Sequence, residues 1–367
     1  MTSVERPLTV LHLDTERGWR GGERQAFWLA RELARLGHRS LVAARPGEGL
    51  AARAADAGLE LIPCAPAGEA DLLAAIRLRR ALLRQSVDIV HAHTGHAVGT
   101  AALATLGTRV PMVLTRRVDF RLRRNFASRW KYSRAAAIIA ISRAVRAALV
   151  ASGIPESTIV LVPSGVDLAR TFTAAPSATL RELGTPTDGG PLAVMVGALV
   201  AHKDPATFVR AIAEARRHVP TLRALLVGEG PLRPMVETLV REQALGDALR
   251  LTGFREDADA LIAAADVFVL SSSEEGLGTV LLDALAAGTP VAATSGGGIP
   301  EIIEDGRSGL LVAPHDHQAL GTAIARIVGD ASLAQTLAAG GREKVLRFSV
   351  AETARRTLEV YRTVLAT

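Results

Sequence analysis

Short apolar runs alternate with amphipathic stretches along nearly the whole chain, and they do so in two successive series. The first passes through 8–13, 40–44, 59–62, 87–92, 112–114, 137–141 and 159–162, the second through 192–197, 224–227, 249–252, 267–270, 291–293 and 310–312. Brief apolar runs of this kind suit strands covered on both faces, and the helix-length intervals supply the crossovers that parallel strands require. The chain is therefore expected to be α/β, with two doubly wound, Rossmann-like domains. After Asp167 the periodicity lapses into Ala-, Thr- and Pro-rich sequence ending at Thr187-Asp188-Gly189-Gly190, which reads as a linker. The expected domains are 1–170 and 191–347, joined by 171–190, with 348–367 as one closing amphipathic helix.

Composition narrows the function. At 367 residues the chain exceeds a typical single core, and 49% apolar against 22% charged residues describes a globular rather than a disordered protein. No apolar run approaches membrane-spanning length. The first thirty residues carry Glu5, Arg6, Asp14, Glu16, Arg17 and Arg20, so no signal peptide is evident and a cytoplasmic protein is expected. Cys64 stands alone, which supports neither an internal disulfide nor a cysteine metal cluster. A net charge of +6 would fit nucleic-acid binding, but no base-reading motif accompanies it and no such partner is expected. The positive charge is almost all arginine, with lysine only at 131, 203 and 344.

The chemistry concentrates in Ser272-Ser273-Glu274-Glu275-Gly276-Leu277-Gly278-Thr279 and the helix that follows it. Glu275 is expected at the end of the run 265–270, and Asp283 two helical turns further along on the same face. Gly276 and Gly278 permit close backbone approach, and the helix start at Thr279 offers unpaired N–H groups to a phosphate. This segment resembles the glycosyltransferase family 4 signature, in which two glutamates separated by seven residues flank such a glycine turn. The resemblance implies a GT-B fold, two facing Rossmann-like domains with a cleft between them, and retaining sugar transfer from a nucleoside-diphosphate sugar. By position it implies that Glu275 contacts the donor sugar and Asp283 the nucleotide ribose, with an aspartate where the family has glutamate. It also implies that the closing helix returns to the first domain.

In Val196-Gly197-Ala198-Leu199-Val200-Ala201-His202-Lys203-Asp204-Pro205 a strand ends and Asp204 with Pro205 starts a helix. Lys203 at that mouth is suited to a diphosphate leaving group. The family usually pairs this lysine with an arginine where the chain has Ala198, so His202 or Arg20 is a candidate to compensate. Gly21 and Gly22 follow the first strand and match the family's N-terminal glycine loop, which implies donor or acceptor contact; a plain tight turn is the alternative. Ser295-Gly296-Gly297-Gly298-Ile299-Pro300-Glu301 resembles the family's glycine turn before a glutamate, and Glu301 either contacts ligand or caps that helix.

His91, His93 and His96 cluster at the end of the run 87–92. A metal site is not expected, because the carboxylate and outer-shell pattern of a zinc motif is missing; His93 or His96 is read as an acceptor contact. Many relatives carry a histidine in the loop after the next strand, where this chain has Arg117, which cannot act as a base but can bind an anionic oxygen. Asp119 is its candidate partner. Asp257-Ala258-Asp259 reads as a helix start rather than an acidic metal motif. Between 116 and 134 basic residues interleave with Phe120, Phe126, Trp130 and Tyr132, a mixture that fits either peripheral contact with an anionic membrane or a solvated helix with buried aromatics.

The expectation is a glycosyltransferase with no cofactor, using a UDP- or GDP-sugar as co-substrate. Lys203, Glu275, Arg117 and Asp119 are the candidate catalytic residues. A lipid-linked or saccharide acceptor is expected, in lipopolysaccharide, exopolysaccharide or glycolipid synthesis. Two rivals share the fold: a binding or scaffold protein weakened by Ala198, Asp283 and Arg117, and a sugar-nucleotide epimerase or hydrolase.

Overall fold

The computed structural model describes residues 6–366 apart from 119, 121, 123, 124, 171 and 184–189. The chain divides into two compact units, Met1–Asp167 with Ser349–Thr367, and Leu168–Phe348. The first holds seven parallel strands: β1 (Thr9–Leu13), β2 (Arg39–Ala44), β3 (Glu60–Pro63), β4 (Ile89–Ala92), β5 (Met112–Arg116), β6 (Ala135–Ala140) and β7 (Ile159–Leu161). Their order across the sheet is β3-β2-β1-β4-β5-β6-β7. The winding therefore reverses between β1 and β4, where His12 pairs in register with His91. In open parallel sheets that reversal leaves a crevice beyond the carboxyl ends of the two strands, and ligands bind there.

The second unit repeats the plan with β8 (Leu192–Val196), β9 (Arg223–Val227), β10 (Leu249–Gly253), β11 (Val267–Leu270), β12 (Val291–Thr294) and β13 (Leu310–Val312), ordered β10-β9-β8-β11-β12-β13. Its reversal lies between β8 and β11. Val267 to Leu270 are all fully buried, as the uninterrupted apolar run requires of a central strand with helices on both faces. One face is covered by the helices Pro205–His218 and His317–Gly329, with Phe208, Val209, Ile212, Leu320 and Ile324 at the centre. The other face carries Leu261 and, from the stretch read as a linker, Ala175 and Leu183, which flank a short helix Ser177–Glu182.

Local chemistry starts the helices where the topology needs them. Side chains of Thr94, Asn125, Ser142, Asp204, Asp316 and Asp330 accept hydrogen bonds from backbone amides of the first turns. The closing helix Val350–Ala366 packs into the first unit, with Ala354, Leu358, Val360 and Tyr361 against Val10, Leu29, Leu33, Ile89 and Val113. Among the described residues no helix is long and apolar enough to cross a membrane.

Candidate functional site

In the second unit Lys203 and Glu275 meet at the switch between β8 and β11. Lys203 closes a single 3-10 turn, Ala201–Lys203, directly before the helix Pro205–His218, and its ammonium forms an ion pair with Glu275. Both side chains are mostly buried, and Ser272 Oγ lies 3.2 Å from the same carboxylate oxygen. Backbone bonds lock the two loops together: Ser273 N donates to His202 O at 2.9 Å, and Ser271 Oγ donates to the carbonyls of Lys203 and Asp204 at 3.0 and 2.8 Å. Asp204 takes φ +43°, a left-handed conformation stabilised by its carboxylate, which accepts from Thr207 N and Thr207 Oγ1 and pairs with His315 Nδ1 at 2.7 Å.

The two glycine turns brace each other. A Cβ on Gly296 would stand 2.5 Å from Ser272 O, and one on Gly298 would stand 2.4 Å from Gly276 O. Gly298 N donates to Glu275 O at 2.7 Å. The turn 295–298 thus supports the loop that carries Glu275, main chain against main chain. Gly278 takes φ +80° at the N-cap of the helix Thr279–Ala287, and as a glycine it supplies no side-chain cap to the first amides. Glu301 lies in the first turn of the four-residue helix Ile299–Ile302.

The expected run of Glu275 and Asp283 along one helical face is corrected by the structure. The helix begins only at Thr279, so Glu275 lies in the preceding turn and half of the eight-residue spacing is not helical. Asp283, 1% exposed, instead has Arg170 Nη1 3.5 Å from its Oδ1, and Arg170 also pairs with Asp259. Arg170 was not foreseen, since it stands alone in the Ala- and Thr-rich stretch without a motif. Asp257 pairs with Arg255, so both acids of the 257–259 stretch are engaged by arginines.

In the first unit the switch between β1 and β4 holds His12, His91 and His93, all buried, together with Arg117 from the end of β5. His12 Nδ1 lies 3.0 Å from His93 Nε2, and His93 Nδ1 lies 3.1 Å from Arg117 Nη2. His91 bonds Tyr361 OH through Nδ1 and Thr115 Oγ1 through Nε2, each at 2.6 Å. The three residues are close enough to be considered as metal ligands. Yet those bonds engage five of the six ring nitrogens, and a guanidinium stands beside His93, so the donor set is turned inward rather than toward a cation. His93, expected as an acceptor contact, is 2% exposed and bonds Arg117 on one side and His12 on the other.

Around Arg117 the charges are concentrated. Gly22 lies beside its side chain, a Cβ there coming 3.8 Å from Arg117 Cδ, and buried Asp14 and Glu23 act on the guanidinium. Burial raises the Asp14 carboxyl to about 7, opposed by the Glu16 amide and Arg117 and reinforced by Glu23. Burial likewise raises Glu23, and it lowers Arg117 to about 10. Asp14 Oδ2, Thr15 Oγ1 and Arg117 Nε are buried without a hydrogen-bond partner among the described residues. Buried polar atoms left unpaired are costly, and their gathering at a switch point makes this the candidate polar site of the first unit. Asp14, Thr15, Glu23 and His12 were missed as site residues; an acid directly after the apolar run 8–13 was the available signal.

Gly21 opens the helix Gly21–Arg35, Arg20 before it is exposed, and its amide donates to Glu23 at 2.7 Å. His96 is exposed and pairs with Glu69 at 3.4 Å, apart from the buried histidines. His202 contributes its carbonyl to Ser273, as above. Asp119 lies outside the described residues, so the structure gives Arg117 no such partner to assess.

Two family models match the chain, one described as Glycosyltransferase Family 4 over residues 19–170 and one as Glycosyl transferases group 1 over residues 190–330. The alpha-maltose-1-phosphate synthase of Mycolicibacterium smegmatis is 31% identical over 315 residues, covering 77% of this chain and 80% of that protein. The lipopolysaccharide core biosynthesis glycosyltransferase LpsE of Rhizobium meliloti is 35% identical over 165 residues, 45% of this chain and 47% of LpsE. A D-inositol 3-phosphate glycosyltransferase of a Nocardioides species is 35% identical over 224 residues, 56% of this chain and 48% of that enzyme. The match thus spans about half the length of the last two relatives. Among solved structures, Anabaena HepE in complex with UDP and glucose superposes with a TM-score of 0.85 at 21% identity, over 97% of this chain and 100% of HepE. A glycosyltransferase from Rickettsia africae gives 0.84 at 22% identity, over 98% and 99%. The fold class is that of the GT-B glycosyltransferases, two Rossmann-like parallel sheets with their helices.

Proposed function

This chain belongs to glycosyltransferase family 4, and we propose that it transfers a sugar, with retention of configuration, from a nucleoside-diphosphate sugar to a lipid-linked or saccharide acceptor. The observation that carries the reading is the Lys203 and Glu275 pair at the β8/β11 switch, held by the braced glycine turns. Lys203 and the uncapped N-terminus of the helix Thr279–Ala287 supply positive potential for a diphosphate, whose charge grows as the sugar leaves. Glu275 accepts from sugar hydroxyls and orients the reacting carbon. Gly276, Gly278 and Thr279 bring main-chain amides to the donor, and Asp283 with Arg170 lies behind them on the ribose side. No resident cofactor or metal enters this scheme, because charge compensation comes from Lys203 and the helix terminus. The absence of an arginine at Ala198 leaves Lys203 as the principal cation.

Arg117, with Gly22 beside it and Asp14 and Glu23 acting on it, is the acceptor-side group in this reading, binding an anionic oxygen. HepE and its UDP and UDP-glucose complexes make UDP-sugars the first donors to test, and LpsE favours an envelope polysaccharide or glycolipid acceptor. We place the protein in the cytoplasm, in peripheral contact with the membrane through 116–134, where Phe126 is 84% exposed beside exposed Arg129 and Arg134. Calorimetric titration of UDP, GDP and their sugar conjugates into wild type and Lys203→Ala tests the donor site. Micromolar binding of one nucleotide, weakened about tenfold or more by the substitution, is expected. Failure of every nucleotide to bind would replace this reading with a scaffold protein of the same fold.

A further inference from the structure

A guanidinium can only donate hydrogen bonds. Arg117 Nη2 lies 3.1 Å from His93 Nδ1, so that nitrogen carries a lone pair and the ring proton sits on Nε2. His93 Nε2 in turn lies 3.0 Å from His12 Nδ1, which must accept and leaves its own proton on Nε2. The line from Arg117 through His93 to His12 therefore has one direction, and each tautomer is dictated by the one before it. Burial holds His12 down to about 3 and His93 well below its ordinary value, with His91, His12 and Arg117 adding to the effect at His93. Both rings are neutral near pH 7, as the line requires.

Stability alone does not account for this arrangement. Its last proton, on His12 Nε2, is buried without a hydrogen-bond partner among the described residues. Apolar side chains at 12 and 93 would fill the same space without stranding a donor. What the line accomplishes lies at its other end. Arg117 is half-buried, its Nε enclosed and one Nη tethered, beside Gly22. A long side chain loses rotamer freedom when it grips a ligand, and fixing it beforehand removes part of that loss.

We propose that His93 and His12 are positioning residues for Arg117, holding its guanidinium in one orientation so that its remaining N–H groups meet an oxyanion of the molecule bound by the first unit. The proposal rests on the reading of Arg117 as an anion-binding group and adds how that group is aimed.

Nitrogen-15 NMR of the full chain tests it in two ways. At pH 7 the His93 and His12 rings are expected as Nε2–H tautomers, and Arg117→Leu is expected to release His93 into a tautomer mixture. A His93 ring protonated at Nδ1 in the wild type overturns the proposal. In the second arm, inorganic phosphate and, separately, acetate are titrated while the Arg117 Nε–H resonance is followed. His93→Leu, which leaves no acceptor for Arg117, is expected to weaken anion binding at least fivefold. His93→Asn, which restores an acceptor, is expected to recover most of it, and thermal unfolding of both variants reports whether the fold is intact. Unchanged affinity in a folded His93→Leu overturns the positioning role. For the underlying reading, phosphate affinity is compared between Arg117→Leu and wild type by calorimetry in the Lys203→Ala background. Equal affinity there shows that Arg117 is not an anion site and overturns the proposal at its base, whatever happens to UDP binding in the second unit.

Discussion

The two units share one winding order, and each gathers its candidate chemistry between its first and fourth strand, but they build it from opposite materials. In the second unit main chain forms the frame: Gly296 and Gly298 press against the carbonyls of Ser272, Ser273 and Gly276, and Lys203, Glu275 and the Ser272 hydroxyl meet beside it. In the first unit the space is filled by side chains: His12, His93 and Arg117 in hydrogen-bonded contact, His91 packed against both rings, and two buried acids near by. Backbone cradles tolerate no added atoms but are insensitive to pH. Clusters of titratable side chains should behave in the reverse way.

The largest expected effect follows from that contrast. His12, His91 and His93 have folded pKa values depressed below 6.5, so they favour folding fully above that value and lose this contribution as pH falls through it. Asp14, raised to about 7, acts oppositely, since the folded state keeps a proton that the unfolded carboxyl gives up near 4; Glu23 adds to this. Three histidines outnumber two acids, so near pH 5 the unfolded first unit binds one to two more protons than the folded one. Its stability should fall by about 1.4–2.7 kcal/mol per unit of acidification there. All three tryptophans, Trp19, Trp28 and Trp130, lie in the first unit, so urea unfolding followed by tryptophan fluorescence at pH 6.5 and 5 reads this unit. No described histidine of the second unit is buried. Equal fluorescence-detected stability at the two pH values would break the comparison.

Gly298→Ala probes the other side. Its Cβ would meet main chain, which cannot swing aside as a side chain can, so we expect a loss of about 1–3 kcal/mol, a melting temperature lower by several degrees, and impaired UDP binding. Gly22→Ala is the matched control. Its Cβ would find ordinary contact with Arg117 Cδ at 3.8 Å, and the change should stay within about 0.5 kcal/mol by the same melting experiment. If the two variants melt alike, the bracing of the second unit's turns is not what holds Glu275.

This difference in materials also explains what could be read in the sequence. Each of the thirteen strands among the described residues coincides with an apolar run, and the central ones, covered on both faces, leave an unbroken signal. Lys203, Glu275 and the glycine turns were legible because a backbone cradle has to be contiguous in the chain. The first unit's cluster was not, because His12, Asp14, His93 and Arg117 come from three strands that only the order β1-β4-β5 brings together. His12 alone on an apolar strand looks like any buried histidine, and Arg170 has no local pattern around it. The expected shared face of Glu275 and Asp283 failed because helical periodicity was extended through Gly278, whose left-handed backbone starts the helix four residues later than assumed.

Glu275→Gln carries a smaller effect whose sign is informative. Lys203 is engaged by Glu275, so under the proposed function a diphosphate must compete with that carboxylate. Removing the charge frees the ammonium, and UDP itself should bind about three- to tenfold tighter, on the order of 1 kcal/mol for a partly screened pair. If Glu275 orients the sugar as proposed, turnover of the sugar conjugate should fall, because that group has lost its strongest acceptor. Calorimetry with UDP beside a donor-consumption assay separates the two effects. Weaker UDP binding would mean that Glu275 supports the nucleotide site rather than opposing it.

His96→Ala should do least. His96 stands three residues after His93 and looks in sequence like the third member of the cluster, yet its ring is 71% exposed and meets Glu69 at 3.4 Å, while Lys131 holds the same carboxylate at 2.6 Å. An exposed pair of this kind is screened by water, and Glu69 keeps its lysine, so the change in stability should be below about 0.5 kcal/mol. His12→Asn, by contrast, should reduce the pH slope of first-unit unfolding by about one proton. A loss of more than about 1 kcal/mol on urea unfolding of His96→Ala would show that His96 supports the buried cluster and undo the division between the inward-turned histidines and the surface one.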